Sequence, residues 1–399
     1  MVQSELELRE AFLRHVCQTS SQPLGIVVDR AEGATIWDTS GRAYLDLLAG
    51  MGVANVGHAH PRVVAAIEQQ ARSYLHVSVY GEMVQGPQVR LAQRLVDVVP
   101  GDLSVVYFTN SGAEAIEGAM KTARKFTERS RFIAFEGSFH GDTFGALSLG
   151  GNPLYQLPFE PLLPVVERLP FDDEAALEQI DTTVAAVVIE LIQGEGGVRI
   201  PSDGFLRAVR HRCTEVDALL IVDEVVTGFG RTGKLFACAH WEIVPDILVL
   251  AKALGGGMPL GAFIGRPEVM RTLSMDPPLA HVTTFGGHPV SCAAGEAALE
   301  VIVSERLPER AARLGAVWLE ELRKALGAHA RAVRGKGLMV AVEFETPEAT
   351  RRFTSGCFAR GLILNWTLNR DTVVRLVPPL IIEEAELERA TAIMAEAVR

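Results

Sequence analysis

Lys252 combines a reactive side chain with a position that water should not reach easily. It follows the apolar run ILVLA at 247–251 and precedes the glycines at 255–257. Burial disfavours the charged ammonium and favours the neutral amine, which is a nucleophile able to form a Schiff base with a carbonyl. The glycines would let a ligand or a backbone segment come close. The alternative interpretation is a lysine at a strand end that extends its amine to water.

Two carboxylates also follow apolar runs. Asp223 ends ALLIV at 218–222, and Glu190 ends VAAVVI at 184–189. A carboxylate such as Asp223 could pair with a protonated ring nitrogen of a cofactor. It could equally cap a loop, hold a metal or bridge to Arg231.

The segment NSGA at 110–113 joins the apolar run VVYF at 105–108 to a helical pattern. The free amides and the dipole at a helix N-terminus suit a phosphate, although such turns often only cap a helix. A lysine and an aspartate at strand ends, with a phosphate-type turn upstream, match the needs of pyridoxal phosphate. The lysine would carry the Schiff base, the aspartate would keep the pyridine nitrogen protonated, and the helix end would hold the phosphate.

The elements that must position these residues are strand-like runs alternating with helical patterns. Such near-continuous apolar runs indicate a mainly parallel α/β sheet covered by helices. Ligands of such sheets bind beyond the carboxyl ends of the strands, where all the residues above lie. The predicted strands are 105–108, 131–135, 184–189, 218–222 and 247–251, and the first predicted helix is 113–126.

A chain of 399 residues exceeds one ordinary core, so we expect more than one domain. Residues 56–290 are predicted to form a large cofactor-binding domain. Residues 291–399, with helical patterns at 291–303, 307–326 and 383–398 around short apolar runs, predict a smaller α+β domain. Residues 1–55 contain strand-like TIWD and AYLD, which we expect to pack with the small domain.

Composition excludes several other classes of function. The formal net charge is −11 and no basic block is present, so nucleic acid is not an expected partner. Neither a signal-peptide pattern nor an apolar run of about 20 residues is present, so no membrane association is expected. The five cysteines lack metal-type spacing and are interpreted as reduced thiols of a cytoplasmic protein. His58 and His60 have no further ligands nearby, so no metal is predicted.

Seven blocks in order resemble the class III aminotransferases, pyridoxal-phosphate enzymes of fold type I that include ornithine, acetylornithine and 4-aminobutyrate aminotransferases. The resemblance extends over nearly the whole chain. The blocks are NVGHAHP (55–61), FTNSGAEA (108–115), FHG (139–141), IQGEGG (192–197), DEVVTGFGRTG (223–233), PDILVLAKALGGG (245–257) and TTFGG (283–287).

The resemblance implies roles for individual residues around pyridoxal phosphate. Lys252 would form the Schiff base and then move the proton between substrate and cofactor carbons, and Asp223 would pair with the pyridine nitrogen. Phe139 and Val225 would cover the two faces of the ring. Glu224 would support the ring hydroxyl region. The remaining implied cofactor-binding residues are Ser111, Gly112 and Ala113 at the phosphate, with His140 and Glu190 near the ring.

The resemblance also implies how substrates and a second subunit contribute. Arg375 matches the arginine that binds the substrate α-carboxylate, and Glu195 matches the glutamate that pairs with it when no carboxylate is there. Thr284 would reach the phosphate of the neighbouring subunit, which implies a homodimer with its sites at the interface. The alternative for Phe139 is ordinary core packing, and the alternative for Arg375 and Glu195 is a structural ion pair.

Three residues depart from the best-known members of the family. Asp142 stands where many ornithine, acetylornithine and 4-aminobutyrate enzymes carry an arginine that anchors a distal carboxylate, although HGDT at 140–143 resembles the diaminopelargonate-forming enzymes. This reversal of charge weakens the case for 4-aminobutyrate and N-acetylornithine as donors and for 2-oxoglutarate as acceptor. Met51 replaces a tyrosine that contacts substrate in ornithine aminotransferases. Val226 replaces a glutamine that often bonds the ring hydroxyl.

The sequence therefore predicts an aminotransferase that moves the terminal amine of an ω-amino acid, diamine or related amine to an α-keto acid by a ping-pong mechanism. Asp142 is hypothesised to lie near the pocket and to favour a donor with a second cationic group. The alternatives within the same family are an aminomutase of the glutamate-semialdehyde type and a decarboxylating transaminase.

Overall fold

The structure, a computed structural model, describes residues 4–21, 23–78 and 83–399. Its strands are β1 (Val28–Glu32), β2 (Thr35–Asp38), β3 (Ala43–Asp46), β4 (Val105–Thr109), β5 (Arg131–Phe135), β6 (Val166–Leu169), β7 (Val184–Glu190), β8 (Leu219–Asp223), β9 (Ile247–Leu250), β10 (Gly261–Gly265), β11 (Ala332–Lys336), β12 (Met339–Glu343), β13 (Leu362–Ile363), β14 (Asn365–Trp366) and β15 (Val373–Leu376).

The helices follow the same chain order. They are α1 (Glu5–His15), α2 (Ala49–Gly52), α3 (Pro61–Ser73), α4 (Gly86–Val96), α5 (Gly112–Thr127), α6 (Phe144–Leu149), α7 (Pro153–Gln156), α8 (Asp203–Glu215), α9 (Pro267–Met270), α10 (Pro289–Ser304), α11 (Leu307–Leu326), α12 (Pro347–Ala359) and α13 (Glu384–Ala397). Short 3-10 helices cover Leu157–Phe159, Ala175–Gln179, Ala237–His240, Lys252–Gly255 and Arg271–Ser274. Within the described ranges, none of the helices is long and apolar enough to cross a membrane.

A seven-stranded sheet, in the order β4-β10-β9-β8-β7-β5-β6, forms the centre of the chain. Strand β10 is antiparallel to β4 and to β9, and the other neighbouring pairs are parallel. Every residue of β7 is buried, and the apolar residues of the sheet pack into one core on each face. Burial on both faces explains why these strands read as continuous apolar runs. The predicted α/β fold with a mainly parallel sheet is confirmed.

The carboxyl ends of three adjacent strands lie level with one another. Glu190, the last residue of β7, is the register partner of Asp223, the last residue of β8, and Asp223 is in turn the partner of Val249 in β9. Lys252 follows β9 by two residues. Because parallel strands end at one edge of a sheet, their terminal polar residues converge.

Two smaller sheets contain the remaining strands, in the orders β1-β2-β3-β13 and β11-β12-β15-β14. The strands expected at TIWD and AYLD are β2 and β3, and β3 pairs in parallel with β13 from the C-terminal part. Helix α10 packs against α3 and α4, although the sequence assigned it to the small domain. The division of the chain at residues 55 and 290 remains a prediction.

Candidate active site

Lys252 borders a cavity of about 390 Å³ at the carboxyl edge of the sheet. Its backbone φ is 49°, in the left-handed region that non-glycine residues seldom adopt. Burial, reinforced by the positive charge of Arg375, lowers the pKa of Lys252 below its usual value. The structure therefore favours the neutral, nucleophilic amine that the sequence suggested.

Asp223 lies in the same cavity and is held from two directions. Its Oδ1 accepts a hydrogen bond from the Val225 amide at 3.0 Å, and its Oδ2 lies 2.8 Å from Nδ1 of His140. Burial alone would lower the pKa of His140, but the hydrogen bond and charge of Asp223 raise it overall. The other ring nitrogen of His140, Nε2, is buried and has no hydrogen-bond partner in the described part of the chain.

Glu190 is fully enclosed beside this pair. Its Oε1 accepts from the Phe139 amide at 2.9 Å and its Oε2 from the Gly194 amide at 3.0 Å. Burial raises the pKa of Glu190 to about 7, with the nearby Asp223 charge acting in the same direction. Glu190 therefore fixes the backbone that carries Phe139.

The N-terminus of α5 forms one wall of the cavity. Ser111 is the N-cap, and its Oγ accepts from the Glu114 amide at 3.2 Å. The amides of the first helical turn at Gly112 and Ala113 have no intrahelical acceptor, which makes this end suitable for an anion. Gly141, with φ of +124°, allows the neighbouring loop to approach, because a Cβ there would come within 2.5 Å of the Ala113 Cβ.

Arg375 and Glu195 form a short charge-assisted contact between Nη1 and Oε1. Arg375 is only 2% exposed, and its Nε has no hydrogen-bond partner among the described residues. Although burial alone would raise the pKa of Glu195, the Arg375 charge and the Leu368 amide lower it. The second terminal nitrogen of Arg375, Nη2, lies 3.7 Å from Sδ of Met51. An arginine with an unused donor and an ionised partner is suited to exchange one carboxylate for another.

Most of the residues selected from the sequence converge on this cavity, but not all do. Asp142 and Thr284 are exposed and do not border the cavity of this chain, and Met51 and Arg375 are not among its lining residues either. Asp142 follows Gly141, which does border it. The selected residues that line the cavity are Ser111, Gly112, Ala113, Phe139, His140, Glu190, Glu195, Asp223, Val225 and Lys252.

The expectation for Glu224 is wrong. Its carboxylate accepts from the amides of Ala237 and Cys238 at 2.7 and 2.8 Å and from the Thr227 hydroxyl at 2.9 Å, and it does not line the cavity. Glu224 thus secures the segment after β8. Glu224 lies just beyond the end of β8, so the direction of its side chain depends on the path of the segment that follows.

The two histidines that could have suggested a metal have other partners. His58 Nε2 lies 2.8 Å from Asp46 Oδ2, and His60 Nδ1 accepts from the amide at the start of α3. In the described ranges no group of three potential metal-ligating side chains occurs.

The sequence missed Val53, Thr227 and the segment at 258–260 as lining residues. Only the glycines before Met258 hinted at this segment.

The site has the chemistry that pyridoxal phosphate requires. The Lys252 amine can hold an aldehyde, the Asp223 side chain can face a protonated ring nitrogen, and the N-terminus of α5 can take a phosphate. The unpartnered Nε2 of His140 and the apolar side chains of Phe139 and Val225 complete surroundings for a polar aromatic ring. The fold and the site therefore define an enzyme of the fold type I pyridoxal-phosphate class.

Comparisons with known proteins specify the family. The aminotransferase class-III family matches residues 16–398, so the chain belongs to the class III aminotransferases, which depend on pyridoxal phosphate. It is 46% identical over 398 residues to an acetylornithine aminotransferase of Methanopyrus kandleri, covering 99% of each chain. It is 43% identical to a putrescine aminotransferase of Pectobacterium atrosepticum, covering 93% of this chain and 82% of the relative.

A solved structure agrees with these relatives. The ornithine aminotransferase of Toxoplasma gondii ME49 superimposes with a TM-score of 0.92 at 34% identity, covering 100% of this chain and 95% of that one. The predicted family, cofactor and aminotransferase activity are thereby confirmed.

Proposed function

We propose that this aminotransferase takes the terminal amine of a diamine, or of an ω-amino compound with a second cationic group, and transfers it to pyruvate or another α-keto acid. The observation that carries the proposal is the Glu195–Arg375 pair beside the cavity. When Glu195 neutralises Arg375, the site suits a donor without an α-carboxylate. When an α-keto acid arrives, its carboxylate can replace Glu195 on the guanidinium.

The chain's own residues supply the steps of proton transfer and positioning. Bound pyridoxal phosphate supplies an aldehyde carbon and a ring that accepts electrons from the substrate carbon. Lys252 would hold that carbon and, once displaced by the substrate amine, would use its Nζ to move the proton to and from the substrate. Asp223, oriented by His140, would keep the ring nitrogen protonated, and the amides of Gly112 and Ala113 would hold the phosphate.

Asp142 supports a cationic donor. It is exposed beside Gly141 at the cavity, and the next residue, Thr143, donates to the Glu117 carboxylate at 2.6 Å. Neither Asp142 nor Glu117 borders the cavity, but Asp142 directly follows the cavity-lining Gly141, and its negative charge would attract an amine and repel a distal carboxylate. The name of the putrescine aminotransferase among the relatives is consistent with a diamine donor.

N-acetylornithine is the second candidate donor, because relatives that are 46% and 41% identical are named acetylornithine aminotransferases. Its α-carboxylate would lie at the distal end of the site when the terminal amine reacts. A negative charge at Asp142 would disfavour that placement, and for this reason we propose the diamine as the first candidate donor.

The proposal includes a homodimer, in which Thr284 reaches the cofactor phosphate of the partner subunit. Thr284 is exposed in the single chain, and Oγ1 of the preceding Thr283 accepts a hydrogen bond from Asn110 Nδ2 at 3.2 Å. The exposed apolar side chains of Leu279, Val282 and Phe285 accompany it on the same segment. Such a patch indicates a contact surface. The cytoplasmic location remains a prediction from the sequence.

A half-reaction screen tests the substrate. Purified holoenzyme is mixed with putrescine, N-acetylornithine, ornithine or 4-aminobutyrate, and conversion of the cofactor to its pyridoxamine form is followed by absorbance. We expect putrescine to react with the highest kcat/KM. Faster reaction with N-acetylornithine would replace the diamine by the second candidate. A Lys252→Ala variant should show no lysine-bound cofactor band, whereas Lys234→Ala, an exposed lysine, should retain it.

A further inference from the structure

A turn between two strands of the small sheet covers Glu195. Strands β14 and β15 pair antiparallel, with Asn365 opposite Arg375, and residues 367–372 form the turn that joins them. The Leu368 amide donates to Glu195 Oε2 at 2.8 Å, while Glu195 Oε1 contacts Arg375. One hairpin therefore supplies both partners of this carboxylate, the guanidinium from its strand and the amide from its turn.

Asn369 fastens this turn to the rest of the site. Its amide donates to the Glu195 carbonyl at 3.1 Å, and its Nδ2 donates to the carbonyls of Gly137 and Ser138, each at 3.1 Å. Those carbonyls belong to the loop that leads directly to Phe139. The turn is also held from outside, because the Tyr155 hydroxyl donates to the Leu368 carbonyl at 2.9 Å.

We propose that Asn369 is a positioning residue that sets how readily Glu195 leaves Arg375. By fixing the turn, it keeps the Leu368 amide against Glu195 and so stabilises the paired state. An incoming α-carboxylate must then replace Glu195 on Arg375, and Glu195 must also give up its hydrogen bond to the turn. The inference rests on the proposed role of Arg375 in binding the keto-acid carboxylate.

The pairing of Glu195 with Arg375 has opposite effects on the binding of the amine donor and of the keto acid. A donor without an α-carboxylate needs Glu195 to neutralise the buried Arg375, since an unpaired buried charge is costly. A keto acid needs Glu195 to leave. Weakening the turn therefore favours the keto acid and disfavours the donor, whereas general loosening of the site would impair both.

The Asn369→Ala holoenzyme tests this inference through two measurements. The dissociation constant of propanoate, a carboxylate with no amino or keto group, is determined by calorimetry on the pyridoxal form. The KM of the amine half-reaction is determined separately by absorbance. We expect propanoate to bind about three- to tenfold more tightly, and the donor KM to rise by a similar factor, as expected for one lost hydrogen-bonded anchor.

Asp371→Asn is the matched control, because Asp371 lies in the same turn but pairs with the exposed Arg351. It should leave both constants unchanged. Tyr155→Phe is a second, milder variant that removes only the tyrosine hydroxyl, which donates to the Leu368 carbonyl. It should shift both constants in the same directions as Asn369→Ala. It also serves if Asn369→Ala does not fold.

A Glu195→Gln background separates positioning from general damage. There, adding Asn369→Ala should leave propanoate binding unchanged, because no charged pair remains to stabilise. Parallel weakening of both substrates, no change in either, or an equal effect in the Glu195→Gln background would overturn the inference. If Arg375→Lys retained full propanoate affinity, the proposed role of Arg375 itself would be wrong, which is a distinguishable failure.

Discussion

Nδ1 of His140 lies 2.8 Å from Oδ2 of Asp223, and both residues are buried at the base of the cavity. The histidine comes from the loop after β5, and the aspartate ends β8. With the Val225 amide on its other oxygen, the Asp223 carboxylate is held from two directions. His140 is therefore expected to act on the cofactor through Asp223.

The variant His140→Ala removes one partner of this buried pair and leaves Asp223 less well compensated. Asp223 is then less firmly oriented, and its contact with the ring nitrogen of the cofactor weakens. We expect kcat to fall by about tenfold and the pyridoxal phosphate dissociation constant to rise by about tenfold, corresponding to the loss of roughly 1.4 kcal/mol. Steady-state kinetics and fluorescence titration of the cofactor would measure both.

His60→Ala is the matched control for His140→Ala, because His60 caps the N-terminus of α3 and does not line the cavity. It should change neither kcat nor cofactor affinity. Unaltered kinetics in His140→Ala would show that Asp223 does not depend on this histidine.

Glu190 predicts a pH dependence of stability in the cofactor-free protein. Its folded pKa is raised to about 7 from the ordinary 4.5, so the folded state holds the proton more tightly than the unfolded state does. This contribution to stability is fully present below pH 4.5 and is lost as the pH rises through about 7. The Glu190→Gln variant should lack this pH-dependent change in the free energy of unfolding, which amounts to about 3 kcal/mol.

Urea unfolding of both proteins at several pH values between 4.5 and 8 checks the Glu190 prediction. Glu68→Gln, at an exposed position of α3, is a suitable control and should follow the wild-type curve. Identical slopes for wild type and Glu190→Gln would mean that folding does not raise the pKa of this carboxyl.

Asp142 is proposed to set the charge that the distal end of a substrate encounters. In an Asp142→Arg variant, a guanidinium replaces a carboxylate, so 2-oxoglutarate should gain affinity through its distal carboxylate while putrescine loses it. We expect kcat/KM for 2-oxoglutarate to rise by about tenfold, equivalent to one favourable charge-assisted contact. Asp173→Arg, at an exposed position elsewhere, controls for net charge. No change in acceptor preference would contradict a substrate contact at Asp142.

Thr284 is expected to bind the cofactor only across a subunit interface. Thr284→Val should therefore raise the pyridoxal phosphate dissociation constant by about tenfold, through the loss of one hydrogen bond to a charged group. Analytical ultracentrifugation should still detect the dimer. Ser274→Ala, whose hydroxyl bonds within its own turn, should leave the constant unaltered. A monomeric wild-type enzyme with full cofactor affinity would refute the interface assignment.

Some features of the site could be predicted because they depend on local sequence. The strands that carry Asp223 and Lys252 are continuous apolar runs, and parallel strands end at one edge. The N-cap role of Ser111 also follows from the residues beside it. The antiparallel strand β10 was not predicted, since its GAFIG sequence is short and contains glycine at both ends.

Glu224 illustrates the opposite case. Sequence placed it beside Asp223 and suggested a role at the cofactor, yet its side chain lies on the other side of the chain and bonds Ala237 and Cys238. The direction of a side chain just after a strand depends on the path of the following segment, which the sequence does not specify.

The sequence by itself determined the family, the cofactor and the set of strand-end residues that surround it, because these depend on motifs and on the apolar pattern of a buried sheet. Only the tertiary structure decided that His140 orients Asp223 and that Leu368 and Asn369 hold Glu195. These contacts join segments far apart in the chain. The first contact depends on how the loop after β5 approaches the end of β8, and the others depend on how a hairpin of the small sheet meets the large sheet. No local periodicity or turn preference encodes these arrangements.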